Sequence, residues 1–144
     1  MGAKSLYLDN REKYREQIKL ANDIKAIDAL NRGFERWTKY KDTWEVIDLD
    51  ELVDNLFKNP VYNNTGQKFE ITDPNSIYII YCDNAGSYFR IGNKQIPKIH
   101  KGHFLDKNLN SVLNEMVNGK ISGTSKERRE ELSHFRMKIK KRWK

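Results

Sequence analysis

An α+β domain, with amino-terminal helices packed on one face of an antiparallel β-sheet, is predicted by three features of the sequence. Apolar residues in the first third recur at three- and four-residue intervals, and from residue 66 the period shortens to that of extended strands. Clusters of Asp, Asn, Gly, Pro and Ser then separate short β-branched or aromatic runs. Helices followed by a meander favour helices segregated to one sheet face, which leaves the other face open to bind.

Tyr14, Ile18, Ala21, Ile24, Ile27, Leu30, Phe34 and Trp37 form one apolar stripe and predict an amphipathic helix in which Gly33 is either the end or an absorbed position. A second helix has Asp48 as cap, Glu51 three residues on as in a capping box, and an apolar face of Leu49, Leu52, Val53, Leu56 and Phe57. Asn59-Pro60 stops it. Trp37, Tyr40 and Trp44 lie at helical spacing between the two helices and read as core aromatics in preference to a base-stacking platform. Strands are predicted at 68–72, 77–82 and 87–91, with turns at 73–76 and 83–86, the second a hairpin connection. Residues 92–118 lack periodicity and read as a loop with one short strand around 103–105. Thr124 with Glu127 opens a short charged helix that ends near Leu132. In 134–140, Phe135, Met137 and Ile139 alternate with Arg136, Lys138 and Lys140, so one face lies on the core and the other, with His134, presents a basic row.

The chain has 144 residues, the size of one domain, and its 38% hydrophobic content can bury a core despite a mean hydropathy of -0.86. With 27 Lys+Arg against 20 Asp+Glu the net charge is +7, unevenly placed. Residues 1–60, the helical part, hold 11 basic and 12 acidic side chains; residues 61–144, the sheet part, hold 16 and 8. The two parts are expected to form one compact domain. From Lys120 onward there are ten Lys/Arg and three Glu, a distribution that attracts polyanions, nucleic acid foremost, or serves only solubility. No apolar run reaches the ~18 residues of a membrane span, and the charged amino terminus predicts no secretory leader. One cysteine allows no internal disulfide, and Cys82 at the end of an apolar run reads as a buried, inert thiol.

Metal and nucleotide motifs are not found. His100 and His103 stand three apart with no third ligand at zinc spacing, and neither a P-loop nor a dinucleotide fingerprint is present. The polar residues of the basic half include Tyr88, Arg90, Lys98, His100, Lys101, His103, Lys120, Ser122, Thr124, Ser125, Ser133, His134 and Arg136. They suit metal-free cleavage of an RNA phosphodiester. A base takes the 2′-hydroxyl proton, an acid protonates the leaving 5′-oxygen, and Arg or Lys stabilises charge on the transition state. Each residue has a plainer role as well: a surface imidazole for His134, a sheet salt bridge for Arg90, simple phosphate contact for His100 and His103.

Taken in order, Tyr88-Phe89-Arg90-Ile91, Phe104-Leu105-Asp106, Val117-Asn118-Gly119-Lys120, Ser122-Gly123, Ser125 and Ser133-His134-Phe135 resemble the C-terminal toxin modules of bacterial polymorphic toxins, including contact-dependent growth-inhibition effectors. That family has a Tyr-x-Arg-Ile strand, then Tyr-Leu-Asp, Asn-Gly-Lys, Gly-x-Ser and a terminal Thr-His-Phe. The resemblance covers residues 86–136. Ser133 stands for the usual Thr, Thr124 where the family tends to have Arg, and the loop at 92–102 is longer.

The resemblance implies a ribonuclease, with tRNA as the expected substrate, of barnase/EndoU-like architecture. It implies Arg90, Lys120, Ser133 and His134 as catalytic residues. It adds Ser122 and Ser125 to the site, with Tyr88 and Asp106 as support; with the other polar residues of the basic half, the expected substrate-binding set is Tyr88, Lys98, His100, Lys101, His103, Ser122, Thr124, Ser125 and Arg136. It also implies delivery into a competitor's cytoplasm and a cognate, acidic immunity protein. No cofactor or metal is expected, and a host activating factor is left open. The alternative is a non-enzymatic basic nucleic-acid-binding module; a deaminase or DNase toxin is a weaker rival, without the Cys pair of the zinc deaminases.

Overall fold

The computed structural model describes residues 2–137, so the basic run at 138–144, including Lys138, Ile139 and Lys140 of the predicted alternation, lies outside the described residues. The chain is α+β, with four helices and a six-stranded, mostly antiparallel sheet. Helix α1 (Ala3–Ala21) and helix α2 (Ile24–Tyr40) lead through a 3₁₀ turn to strand β1 (Glu45–Ile47), helix α3 (Leu49–Leu56) and the strands β2 (Val61–Asn64), β3 (Lys68–Thr72), β4 (Tyr78–Asp83) and β5 (Tyr88–Asn93). A separate hairpin of β6 (Asn114–Val117) and β7 (Lys120–Gly123), helix α4 (Lys126–Ser133) and strand β8 (Phe135–Met137) complete it. The large sheet runs β1-β8-β5-β4-β3-β2, antiparallel throughout except for the parallel pair β1 and β8.

The single helix expected over the first apolar stripe is two. Asn22 takes left-handed backbone (φ 54) and closes α1, and the Asp23 carboxylate caps α2 by accepting from the backbone N–H groups of Lys25 and Ala26. Asn-Asp at that point was the legible break. Gly33 is absorbed in α2, where a Cβ would lie 2.3 Å from the Ala85 Cβ, so the helix passes close over the β4–β5 turn. The Asp48 cap is as expected, its carboxylate accepting from Glu51 N at 3.2 Å. Residues 92–118 are less irregular than their sequence predicts, because Asn118 (φ 52) and Gly119 (φ 80) form a two-residue turn of the left-handed kind that closes the β6–β7 hairpin. The strand expected at 103–105 is reduced to isolated bridges, Gly92 with Phe104 and Leu105 with Ser111.

Register divides the sheet into two chemically different faces. Ile71 pairs Ile80, Ile80 pairs Ile91, Cys82 pairs Phe89 and Phe89 pairs Phe135, so these side chains share one face. Ala3, Tyr7 and Leu8 of α1 and Leu49 and Val53 of α3 bury that face in one core that joins both parts of the chain. Full burial of each large apolar side chain contributes about 1.5–3 kcal/mol. Cys82 is fully buried there, and burial pushes its thiol pKa up, as an inert thiol requires. The alternate positions, Lys68, Tyr81, Asp83, Tyr88, Arg90 and Arg136, make up the second face. It is partly roofed rather than open, because α2, α4 and the loop between β5 and β6 bring Arg36, Ser133 and His103 onto it.

Candidate active site

Arg90, at the centre of β5, lies at the foot of a cleft of about 510 Å³. Its Nη2 donates to Ser133 Oγ at 3.3 Å, its guanidinium carbon stands 3.4 Å from the centre of the Phe104 ring, and its Nε is buried without an acceptor. Among the described residues no carboxylate forms an ion pair with it. Burial, reinforced by the neighbouring charge of Arg36, lowers its pKa to about 10. The walls carry Lys98, Lys101, Lys126, Arg129 and His100, against one carboxylate, Glu130. Such a surplus of cations around an unpaired guanidinium is suited to an anion, with Phe104 supplying an apolar wall.

Of the residues singled out in the sequence, Arg90, Ser133, Lys98, His100 and Lys101 come together in this cleft. His100 is exposed; its Nδ1 accepts from the Gly102 N–H at 2.9 Å, which puts the proton of the neutral ring on Nε2. His103 is buried behind the wall with both nitrogens engaged, Nε2 with the Tyr81 hydroxyl (3.0 Å) and Nδ1 with the Ile96 carbonyl (2.7 Å). A Cβ at Gly92 would meet that Nε2 at 2.4 Å, so only glycine fits beside it.

The remaining assignments have structural duties here. The Tyr88 hydroxyl donates to Asp83 Oδ2 (3.0 Å), Arg136 Nε donates to the Trp44 carbonyl (3.3 Å), and Thr124 Oγ1 donates to the Val112 carbonyl (2.5 Å). Ser125 rather than Thr124 caps α4, accepting from Arg128 N at 3.1 Å, and Asp106 holds a turn by accepting from the backbone of Asn108 and Asn110. Lys120 and Ser122 stand exposed on β7 and do not line the cleft.

His134 adjoins the cleft through Ser133 but is only 1% exposed, not the surface imidazole at a strand start that its sequence position allows. Its ring stacks on Trp44 (centroids 5.1 Å apart, planes at 17°) and tilts against Tyr88. Nδ1 donates to the Glu130 carbonyl at 2.6 Å, which fixes the neutral tautomer, and Nε2 accepts from Arg36 Nη2 at 3.3 Å. Burial first, and then the charge of Arg90, lowers the His134 pKa to about 3. A neutral ring with a lone pair on Nε2 has the form of a proton acceptor and not of a donor.

Sequence reasoning missed Arg36, Lys126 and Arg129. Lys126, Arg129 and Ser133 recur at three- and four-residue spacing on α4, a signal that was present. Arg36 gave none, since it meets His134 across 98 residues of chain. Among the described residues no three His, Cys, Asp or Glu side chains gather in a group that could hold a metal ion, and no helix is long and apolar enough to cross a membrane. The chain matches no family model, and searches among curated proteins and solved structures return no match.

Proposed function

We propose that this chain is a metal-independent RNA endonuclease, with tRNA as its substrate. The observation that carries the reading is the half-buried guanidinium of Arg90, with no carboxylate in ion-pair contact among the described residues and a buried, unpartnered Nε, in a cationic cleft. A half-buried charge without a partner is costly to hold, an anion relieves that cost, and the scissile phosphate is that anion. Ser133 orients Arg90, while Lys98, Lys101, Lys126 and Arg129 track the flanking backbone.

In this scheme the 2′-hydroxyl gives its proton to Nε2 of the neutral His134 and attacks the phosphorus. The leaving 5′-oxygen takes a proton from an ammonium group of the cleft wall, Lys98 or Lys101, and a 2′,3′-cyclic phosphate remains. Since Nε2 is engaged by Arg36, that contact has to open first. The reading carries the rest of the resemblance with it: a barnase/EndoU-like fold, delivery into a target cell's cytoplasm and an acidic immunity protein that neutralises the cationic cleft. The engagement of both His134 nitrogens favours a second reading, a basic module that binds RNA without cutting it.

Incubation of the purified protein with total tRNA in excess chelator separates the two. Fragments ending in cyclic phosphate, lost in Arg90→Met and His134→Ala, are expected. Intact tRNA that is nevertheless retained by the protein would establish the binding module, and equal cleavage by His134→Ala would remove the imidazole from the mechanism.

A further inference from the structure

His134 is met by Arg36 of α2, a helix that buries none of its residues fully although one of its sides is apolar. Ala26, Ala29 and Leu30 look onto a cavity of about 280 Å³ between α2, α1 and the β4–β5 turn, and Ile24 and Phe34 stand exposed. The helix begins after left-handed Asn22 and ends in the 3₁₀ turn at Lys41–Thr43, so a short joint bounds it at each end. Near its end Arg36 reaches the imidazole, and the same Nη2 lies 3.9 Å from Glu130 Oε1. That long ion pair is exposed at both partners and contributes little.

With Nδ1 committed to the Glu130 carbonyl, Nε2 is the one ring nitrogen that could exchange a proton with a ligand, and Arg36 occupies it. Arg36 lines a small cleft with Glu127, Glu130 and Glu131 and, among the described residues, is the one cation lining it; its ion pair there is the long, solvent-screened one to Glu130, so it is the group a phosphate entering at that point would pair with. We infer that Arg36 is a positioning residue that latches the imidazole of His134 shut, and that α2 is the lid carrying this latch, released when an RNA phosphate claims the guanidinium. The release step rests on the ribonuclease reading; the latch does not.

The test uses the whole chain without RNA. Diethyl pyrocarbonate, which modifies free imidazole nitrogens, is applied near neutral pH and the modified histidines are located by mass spectrometry. In the wild-type chain exposed His100 reacts while His134 and His103 resist. Arg36→Ala removes a hydrogen bond from a charged donor and is expected to raise His134 modification about tenfold, with His103 unchanged. Arg36→Lys restores most of the protection. Gly33→Leu, whose side chain wedges α2 away from Ala85, opens His134 with Arg36 intact. Unchanged protection of His134 in both Arg36→Ala and Gly33→Leu overturns the latch, and so does a rise matched by His103, which would mark general loosening. No cleavage is read, so failure here leaves the ribonuclease reading standing, and failure of the tRNA assay leaves the latch standing.

Discussion

Asp83, buried, and Arg90, half-buried, are two charges on the same sheet face, and their surroundings are opposites. Asp83, at the end of β4, accepts from the backbone N–H groups of Ala85 and Gly86 at 2.8 Å, from the Tyr88 hydroxyl at 3.0 Å and from Lys68 Nζ at 2.6 Å. Around it, α1 clamps the turn: Tyr7 donates to the carbonyls of Asp83 and Gly86, Arg11 to Gly86 and Ser87, and Arg15 to Asn84 and Ala85. Arg90 has one long hydroxyl contact, a ring face and an unpaired Nε. The first charge is satisfied within the chain and holds the fold. The second is left unsatisfied by the chain, the condition the proposed phosphate site requires.

The largest expected effect lies on the satisfied side. Asp83→Ala strands Lys68, Tyr88 and two backbone N–H groups, and urea denaturation should show a loss of about 3–5 kcal/mol. Arg90→Met should leave stability unchanged or raise it by about 1 kcal/mol, since an unpaired, half-buried charge is replaced by an apolar chain of similar reach. The same change should cut tRNA cleavage by about 10²–10³-fold, the cost of one transition-state charge contact. A stability loss in Arg90→Met as large as that in Asp83→Ala would erase the contrast.

The pH dependence sharpens it. The folded pKa of His134, about 3, lies below that of the unfolded chain, so the unfolded state binds more protons over that interval. Stability is therefore full above the ordinary His range and falls with decreasing pH, by about 1.4 kcal/mol per unit, until pH reaches the folded value. Thermal denaturation of His134→Gln should lack this slope above pH 5. Asp83 acts lower down, because Lys68 and the turn's N–H groups hold its carboxyl below the usual range against the opposing effect of burial. Its contribution is present above the ordinary carboxylate pKa and is lost as pH falls through the lowered one.

Smaller effects belong to the walls. Lys98→Gln and Lys101→Gln should each flatten the salt dependence of RNA binding by ~0.7 in slope. Lys120→Gln, on the far hairpin, should change cleavage less than twofold, within the range of substitutions that touch no site.

How much of this was legible follows from the range of each interaction. Local signals were readable: the Asp48 cap, the alternation of 68–72, and the turn that joins β4 to β5 depend on residues within a few positions of one another. Two equally local signals, Asn22-Asp23 and Asn118-Gly119, were passed over, the first inside a continuous apolar stripe and the second inside a stretch without periodicity. Arg90, Lys98, His100, Lys101 and Ser133 line one cleft, whereas Lys120 and Ser122, exposed on the β6–β7 hairpin, and Thr124 do not line it. The parallel pairing of β1 with β8 and the contact of Arg36 with His134 had no signature, since each joins segments about ninety or more residues apart.

The sharpest single measurement is the affinity for a non-cleavable, 2′-O-methylated single-stranded RNA, titrated against salt, for wild type and Arg90→Met. Wild type should bind with steep salt dependence, and the variant should bind at least tenfold more weakly with a slope shallower by ~0.7. Equal affinity and equal slope would contradict the claim that the guanidinium of Arg90 is kept for a phosphate.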